Sequence, residues 1–87
     1  MNVNISHVRN AVLGWDITAS VRADGDQSIS YVEIRINGFP ECQEQVNPVA
    51  KQWEKQLSQQ GNYPGDNKVQ VTVQDDKGQS TNWVQEW

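Results

Sequence analysis

Cysteine, histidine, methionine and phenylalanine each occur once in this chain. With Cys42 the sole thiol, no intramolecular disulfide can form, which excludes the disulfide-stapled secreted scaffolds but leaves either side of a membrane open. Positive charge is also scarce, with seven Lys and Arg against eleven Asp and Glu and a net charge of −4. Nucleic acid is therefore not an expected partner, since phosphate binding needs clustered basic side chains. The longest apolar run is Ala11-Val12-Leu13, far too short to insert in a membrane. The first residues, Met1-Asn2-Val3-Asn4-Ile5-Ser6, lack a basic segment followed by an apolar one, so no signal peptide is expected.

What is present is alternation. Trp15, Ile17, Ala19, Val21 and Ala23 interleave with Asp16, Thr18, Ser20 and Arg22, the period of a strand with one buried and one wet face. Asp24-Gly25-Asp26 signals a turn, after which Val32, Ile34 and Ile36 alternate with Glu33 and Arg35 until Asn37-Gly38. These two strands are expected either to form a hairpin or to cross between sheets. Val69, Val71 and Val73 repeat the pattern, and Asp75-Asp76-Lys77-Gly78 leads into a last strand over Ser80–Trp87. An opening strand near Val3–Val8 completes the outer set. Short alternating strands divided by turns about every ten residues predict a sandwich or barrel. At 87 residues, the length prior allows one domain over 1–87 with one thin two-layer core.

Asn47–Gly61 reads differently. Asn47 suits an N-cap, Pro48 a first helical turn and Gly61 a stop, while Val46, Val49, Trp53 and Leu57 make an apolar stripe. Local propensity there favours helix over strand.

Taken in order, Ile17-Thr18-Ala19-Ser20-Val21, Asp24-Gly25-Asp26, Tyr31–Gly38, Trp53 with Leu57, Gly61-Asn62-Tyr63 and Val69–Ser80 resemble the bacterial immunoglobulin-like or fibronectin-III-like domains found in tandem in surface and secreted proteins. The resemblance implies an all-β immunoglobulin-like sandwich of about seven antiparallel strands. It makes Trp53–Leu57 the fifth strand, against the local helix signals, and that reading is preferred because tertiary context overrides propensity over a short segment. Pro64-Gly65-Asp66-Asn67 departs from the family's direct passage into its sixth strand and is expected to be a loop protruding at one end.

Candidate chemistry is thin. His7 and Cys42 have no orienting motif around them, and a surface histidine and an incidental thiol are the expected roles. Asp16 and Glu33 fall on outward strand faces, so no carboxylate pair faces a cleft, and the chain is not expected to be an enzyme. The turns at Asp24–Gln27 and Asp75–Gln79 would project from one end, where Asp24, Asp26, Asp75 and Asp76 could offer oxygens to calcium. Tight-turn backbone chemistry explains the same residues and is preferred, so no cofactor is expected. Trp15 and Trp53 take inward positions, whereas Trp83 and Trp87 share one face of the last strand. Those two, with Tyr31 and Tyr63, are the candidate ligand-binding aromatics.

The expected function is a non-catalytic structural or adhesion module of a longer extracellular or envelope protein, although a cytoplasmic location also fits. Its partners would be neighbouring domains of the same chain, with a protein or polysaccharide ligand in addition. The alternative is a carbohydrate-binding accessory module using Trp83, Trp87, Tyr31 or Tyr63.

Overall fold

The computed structural model describes residues 1–10, 14–59 and 67–87. They form seven strands, β1 (Asn2–Asn10), β2 (Gly14–Arg22), β3 (Ile29–Ile36), β4 (Phe39–Ala50), β5 (Gln52–Gln59), β6 (Lys68–Asp75) and β7 (Ser80–Glu86). All pairings are antiparallel. One sheet has the order β1-β2-β5 and the other β4-β3-β6-β7, which is an immunoglobulin-like sandwich. β2 and β3 lie in different sheets, so the connection after Arg22 crosses the sandwich and is not a hairpin.

Alternation fixes the core. Val3 and Ile5 of β1, Ile17, Ala19 and Val21 of β2, Val32, Ile34 and Ile36 of β3, and Val69, Val71 and Val73 of β6 are all buried between the sheets. The inward phase of β1 continues to His7, which pairs with Ile17, so this histidine belongs to the interior side and not to the surface as expected. Val8 consequently points out and is 66% exposed.

The segment with helix signals is not helical in its described residues: 47–50 end β4, Lys51 is a bend and 52–59 form β5. Trp53 pairs with Val21 and Leu57 with Ile17, so both rows of apolar side chains meet the core, a gain that a solitary helix would forgo. Lys55, opposite Ala19, also points inward. β5 is an edge strand, and the Lys55 amine escapes at the open side of the sandwich, 3.7 Å from the carboxylate of Glu44 on β4. The pair joins the two sheets at their margin.

β4 had no clear signature in the sequence. It carries Pro40 and Pro48, which an edge strand tolerates because one side of its backbone bonds to nothing. Asn37 (φ 51°) and Gly38 (φ 86°) form the two-residue turn before it, with Ile36 opposite Phe39. Positive φ at both central residues is what the tight hairpin turn demands. A register shift between Ile34 and Arg35 then sets Ile34 against Cys42 and Glu33 against Gln43. Of the protruding loop expected at Pro64-Gly65-Asp66-Asn67, residues 64–66 lie outside the described residues, and Asn67 is instead buried and paired through its backbone with Trp87.

Candidate functional site

The two acidic turns do share a pole, and the carboxylates of Asp24, Asp26 and Asp75 are engaged there by the protein itself. Asp24 accepts from the Met1 amino group at 2.8 Å, and Asp26 accepts from Lys77 Nζ at 2.8 Å. That hydrogen bond holds the Asp26 carboxyl below the usual carboxylate range and raises the Lys77 amine above its ordinary value. Asp75 is 3% exposed and its Oδ1 accepts from the backbone amides of Lys77 (2.9 Å) and Gln79 (2.8 Å). It organises the turn it begins, as aspartates at such turns do. Asp76 is exposed, and its amide donates to the Ser28 carbonyl. Among the described residues no group of three or more His, Cys, Asp or Glu is placed to hold a metal ion.

Among the described residues the candidate aromatics do not form one exposed row. Trp87 sits at the opposite pole, partly buried against the core, with its ring stacked on His7 at 3.9 Å and 2° and edge-on to Trp15 at 5.6 Å. Trp15 also meets His7 edge-on, so the three rings close that end of the sandwich. Trp83 lies on the same strand face but is 42% exposed. Tyr31 is on the outer face of the four-stranded sheet, and Tyr63 lies outside the described residues.

Tyr31 belongs to the most organised polar surface of the molecule. Successive outward positions of β3 place Tyr31, Glu33 and Arg35 in one row. Glu33 accepts from Tyr31 Oη at 3.1 Å, from Arg35 Nε, and from Gln43 Nε2 of β4 at 3.5 Å. The Arg35 hydrogen bond holds the Glu33 carboxyl low, while burial and then the Glu33 bond raise the Tyr31 hydroxyl. On β6 and β7 the row continues with Thr72 donating to Asn82. Alternation alone sets Glu33 and Arg35 outward, and the two-residue spacing of Tyr31, Glu33 and Arg35 is the signal for this row, whereas nothing in the sequence marks Gln43.

The outer face of the three-stranded sheet holds a shallow polar concavity of about 510 Å³ lined by Asn2, Asn4, Ser20, Arg22, Gln52 and Glu54 among others. Its lining offers one hydroxyl, that of Ser20, and no thiol or imidazole to activate it. Cys42 is a free, half-buried thiol on β4, which burial pushes above its ordinary pKa, and His7 is on β1 at the other side of the sandwich. No residue pair here supplies an activated nucleophile.

The arrangement differs from a constant-type immunoglobulin sandwich in one strand. There the fourth strand joins the sheet of the first, second and fifth, whereas here β4 pairs with β3. Among solved structures the chain is similar to the fibronectin(III)-like modules of Clostridium thermocellum CbhA, with a TM-score of 0.60 and 19% identity over 98% of this chain and 92% of that one. The likeness is one of fold. No protein-family model and no curated protein matches the sequence.

Proposed function

We propose that this fibronectin(III)-like domain is a non-catalytic module that spaces or contacts neighbouring domains within a longer extracellular or cell-envelope protein. The observation that carries the reading is geometric. The body measures 40 × 18 × 17 Å, and β1 starts beside Arg22 and the acidic turns while β7 runs to the far pole, where Trp87 pairs with Asn67. Strands that enter and leave at opposite ends of a rod allow copies to be strung in line without rearrangement. Support also comes from the fold neighbour, one of the fibronectin(III)-like modules of CbhA.

The test is a tandem of two copies joined by a short flexible linker, studied dilute. The expected result is a melting curve like that of one copy and a maximum dimension by small-angle scattering close to twice the single value. A tandem that folds back on itself or melts lower overturns the reading. The carbohydrate-binding alternative rests, among the described residues, on Tyr31 and Trp83 on separate faces of the four-stranded sheet, without the shared aromatic row that stacking on a sugar chain needs. A titration with soluble polysaccharides followed by tryptophan fluorescence is expected to give no saturable change, and a saturable one lost in Trp83→Ala would establish the alternative.

A further inference from the structure

β7 ends the four-stranded sheet, so one side of its backbone has no strand beside it among the described residues. The last pair of the ladder shows which groups face that side. The Trp87 amide donates to the Asn67 carbonyl at 3.0 Å and the Asn67 amide donates to the Trp87 carbonyl at 2.8 Å. Pairs that exchange both bonds alternate with pairs that exchange none along an antiparallel ladder. Thr81, Trp83 and Gln85 therefore spend their backbone groups on Val73, Val71 and Val69 of β6. The N–H and C=O groups of Ser80, Asn82, Val84 and Glu86 point away from the sheet, and all four residues are exposed.

Exposed edges are usually blunted by proline, lysine, bulges or an inward charge. β4 has two prolines and two register shifts, and β5 has the inward Lys55. β7, with the sequence Ser-Thr-Asn-Trp-Val-Gln-Glu, has none of these devices. It presents instead two adjacent exposed large apolar residues, Trp83 at 42% and Val84 at 47%, whereas the edge strands β1 and β4 expose theirs singly, at Val8, Phe39 and Val49. Trp83 lies in the inward phase of β7, opposite Val71, yet is left 42% exposed.

We propose that the β7 edge is a self-association surface, on which two copies of this chain pair antiparallel about a two-fold axis at Trp83 and join their four-stranded sheets into one. In this register Ser80 lies opposite Glu86 and Asn82 opposite Val84, the four residues whose backbone groups are free, so each pair exchanges two hydrogen bonds. Glu86, the only charge on the strand, meets a serine. The two Trp83 residues meet at an unbonded position, where Cα atoms approach to about 4.5 Å and side chains are closest. Moving the axis to Asn82 or Val84 would set each tryptophan against Thr81 or Gln85 and lose the ring-to-ring cover. This surface is separate from the two poles, so the tandem role and the pairing can each fail without the other.

Sedimentation equilibrium of the chain up to about 1 mM is expected to show a monomer–dimer equilibrium. Val84→Pro removes only a free-edge amide and Val84→Lys adds a charge there; each is expected to weaken association by about tenfold or more while the monomer keeps its melting temperature. A chain monomeric at the top concentration, or a dimer that tolerates both variants, overturns the proposal. In a Cys42→Ser background, Trp83→Cys is expected to oxidise to a disulfide-linked dimer, and Asn82→Cys is not, because its copies lie beyond the roughly 7 Å Cα separation that a disulfide spans. Equal cross-linking of the two overturns the register.

Discussion

Trp83 and Trp87 are equivalent in the sequence pattern, four apart on one strand face, yet the structure gives them opposite energetic weight. Trp87 is partly buried, stacked on His7 and edge-on to Trp15, whereas Trp83 has no ring partner among the described residues. Truncating a fully buried tryptophan to alanine costs about 3–5 kcal/mol. Scaled for partial burial, Trp87→Ala is expected to cost about 2–3 kcal/mol, part of it the aromatic contacts at about 0.5–1.5 kcal/mol each. For a domain of this size that is a fall in Tm of roughly 10–20 °C. Trp83→Ala, measured where the chain is monomeric and scaled the same way for its 42% exposure, is expected to cost about 1–2 kcal/mol, less than Trp87→Ala because no ring contact is lost. The stack itself is isolated by a double-mutant cycle with His7→Ala, in urea melts of the four proteins. A coupling energy of about 0.5–1.5 kcal/mol is expected. Strict additivity, or equal losses for the two tryptophans, would refute the view that the His7–Trp15–Trp87 cluster closes the far pole.

The other expectations concern the sheets and the acidic pole. Val71→Asp is expected to unfold the domain, since it places an unpaired charge at a fully buried position, while Thr72→Asp on the opposite face melts close to the parent; circular dichroism melts decide this. Asp75→Ala is expected to cost about 1–3 kcal/mol by stranding the Lys77 and Gln79 amides, read from chemical denaturation. Calcium is expected to leave Tm unchanged because Asp26 and Asp75 are already engaged, and a saturable rise lost in Asp24→Ala would contradict that. The Glu33 carboxyl, held low by Arg35, contributes stability present above the ordinary glutamate pKa and lost as pH falls through the lower folded value. Carbon-detected NMR should place its midpoint below that of the exposed glutamates, and Arg35→Ala should move it up.

Much of the architecture follows from parity alone. Once Val3 and Ile5, Ile17 to Val21, Val32 to Ile36 and Val69 to Val73 are set inward, both sheets and the core are nearly determined, and Asn37-Gly38 supplies the tight hairpin turn between β3 and β4. Parity carried two residues further would also have placed His7 inside; a polar side chain in an apolar phase hid it. β5 shows the limit of propensity. Its residues favour a helix locally, but only a strand lets Trp53 and Leu57 reach the core together beside Val21 and Ile17. β4 was illegible because its inward row, Cys42, Glu44 and Val46, contains a charge that is tolerable only at the open margin, where Lys55 meets it.

The polar surface on β3 was legible by half, and the reason is a single residue of register. The row of Tyr31, Glu33 and Arg35 needs only the strand period. Its partner from β4 depends on how the hairpin counts back from Asn37-Gly38. A regular ladder from the Ile36–Phe39 and Arg35–Pro40 pairs would put Glu41 opposite Ile34 and Cys42 opposite Glu33. The register shift after Arg35 inserts one residue, and a shift of one turns every later side chain to the other face. Cys42 thereby goes inward, where burial raises its thiol pKa, and Gln43 comes outward to donate to Glu33. The same shift sends Glu44 to the inner row, where it meets Lys55. Alternation cannot reveal a bulge in a strand whose two faces are both mostly polar, so the Glu33 network and the inter-sheet ion pair, which share this one cause, both become visible only in three dimensions.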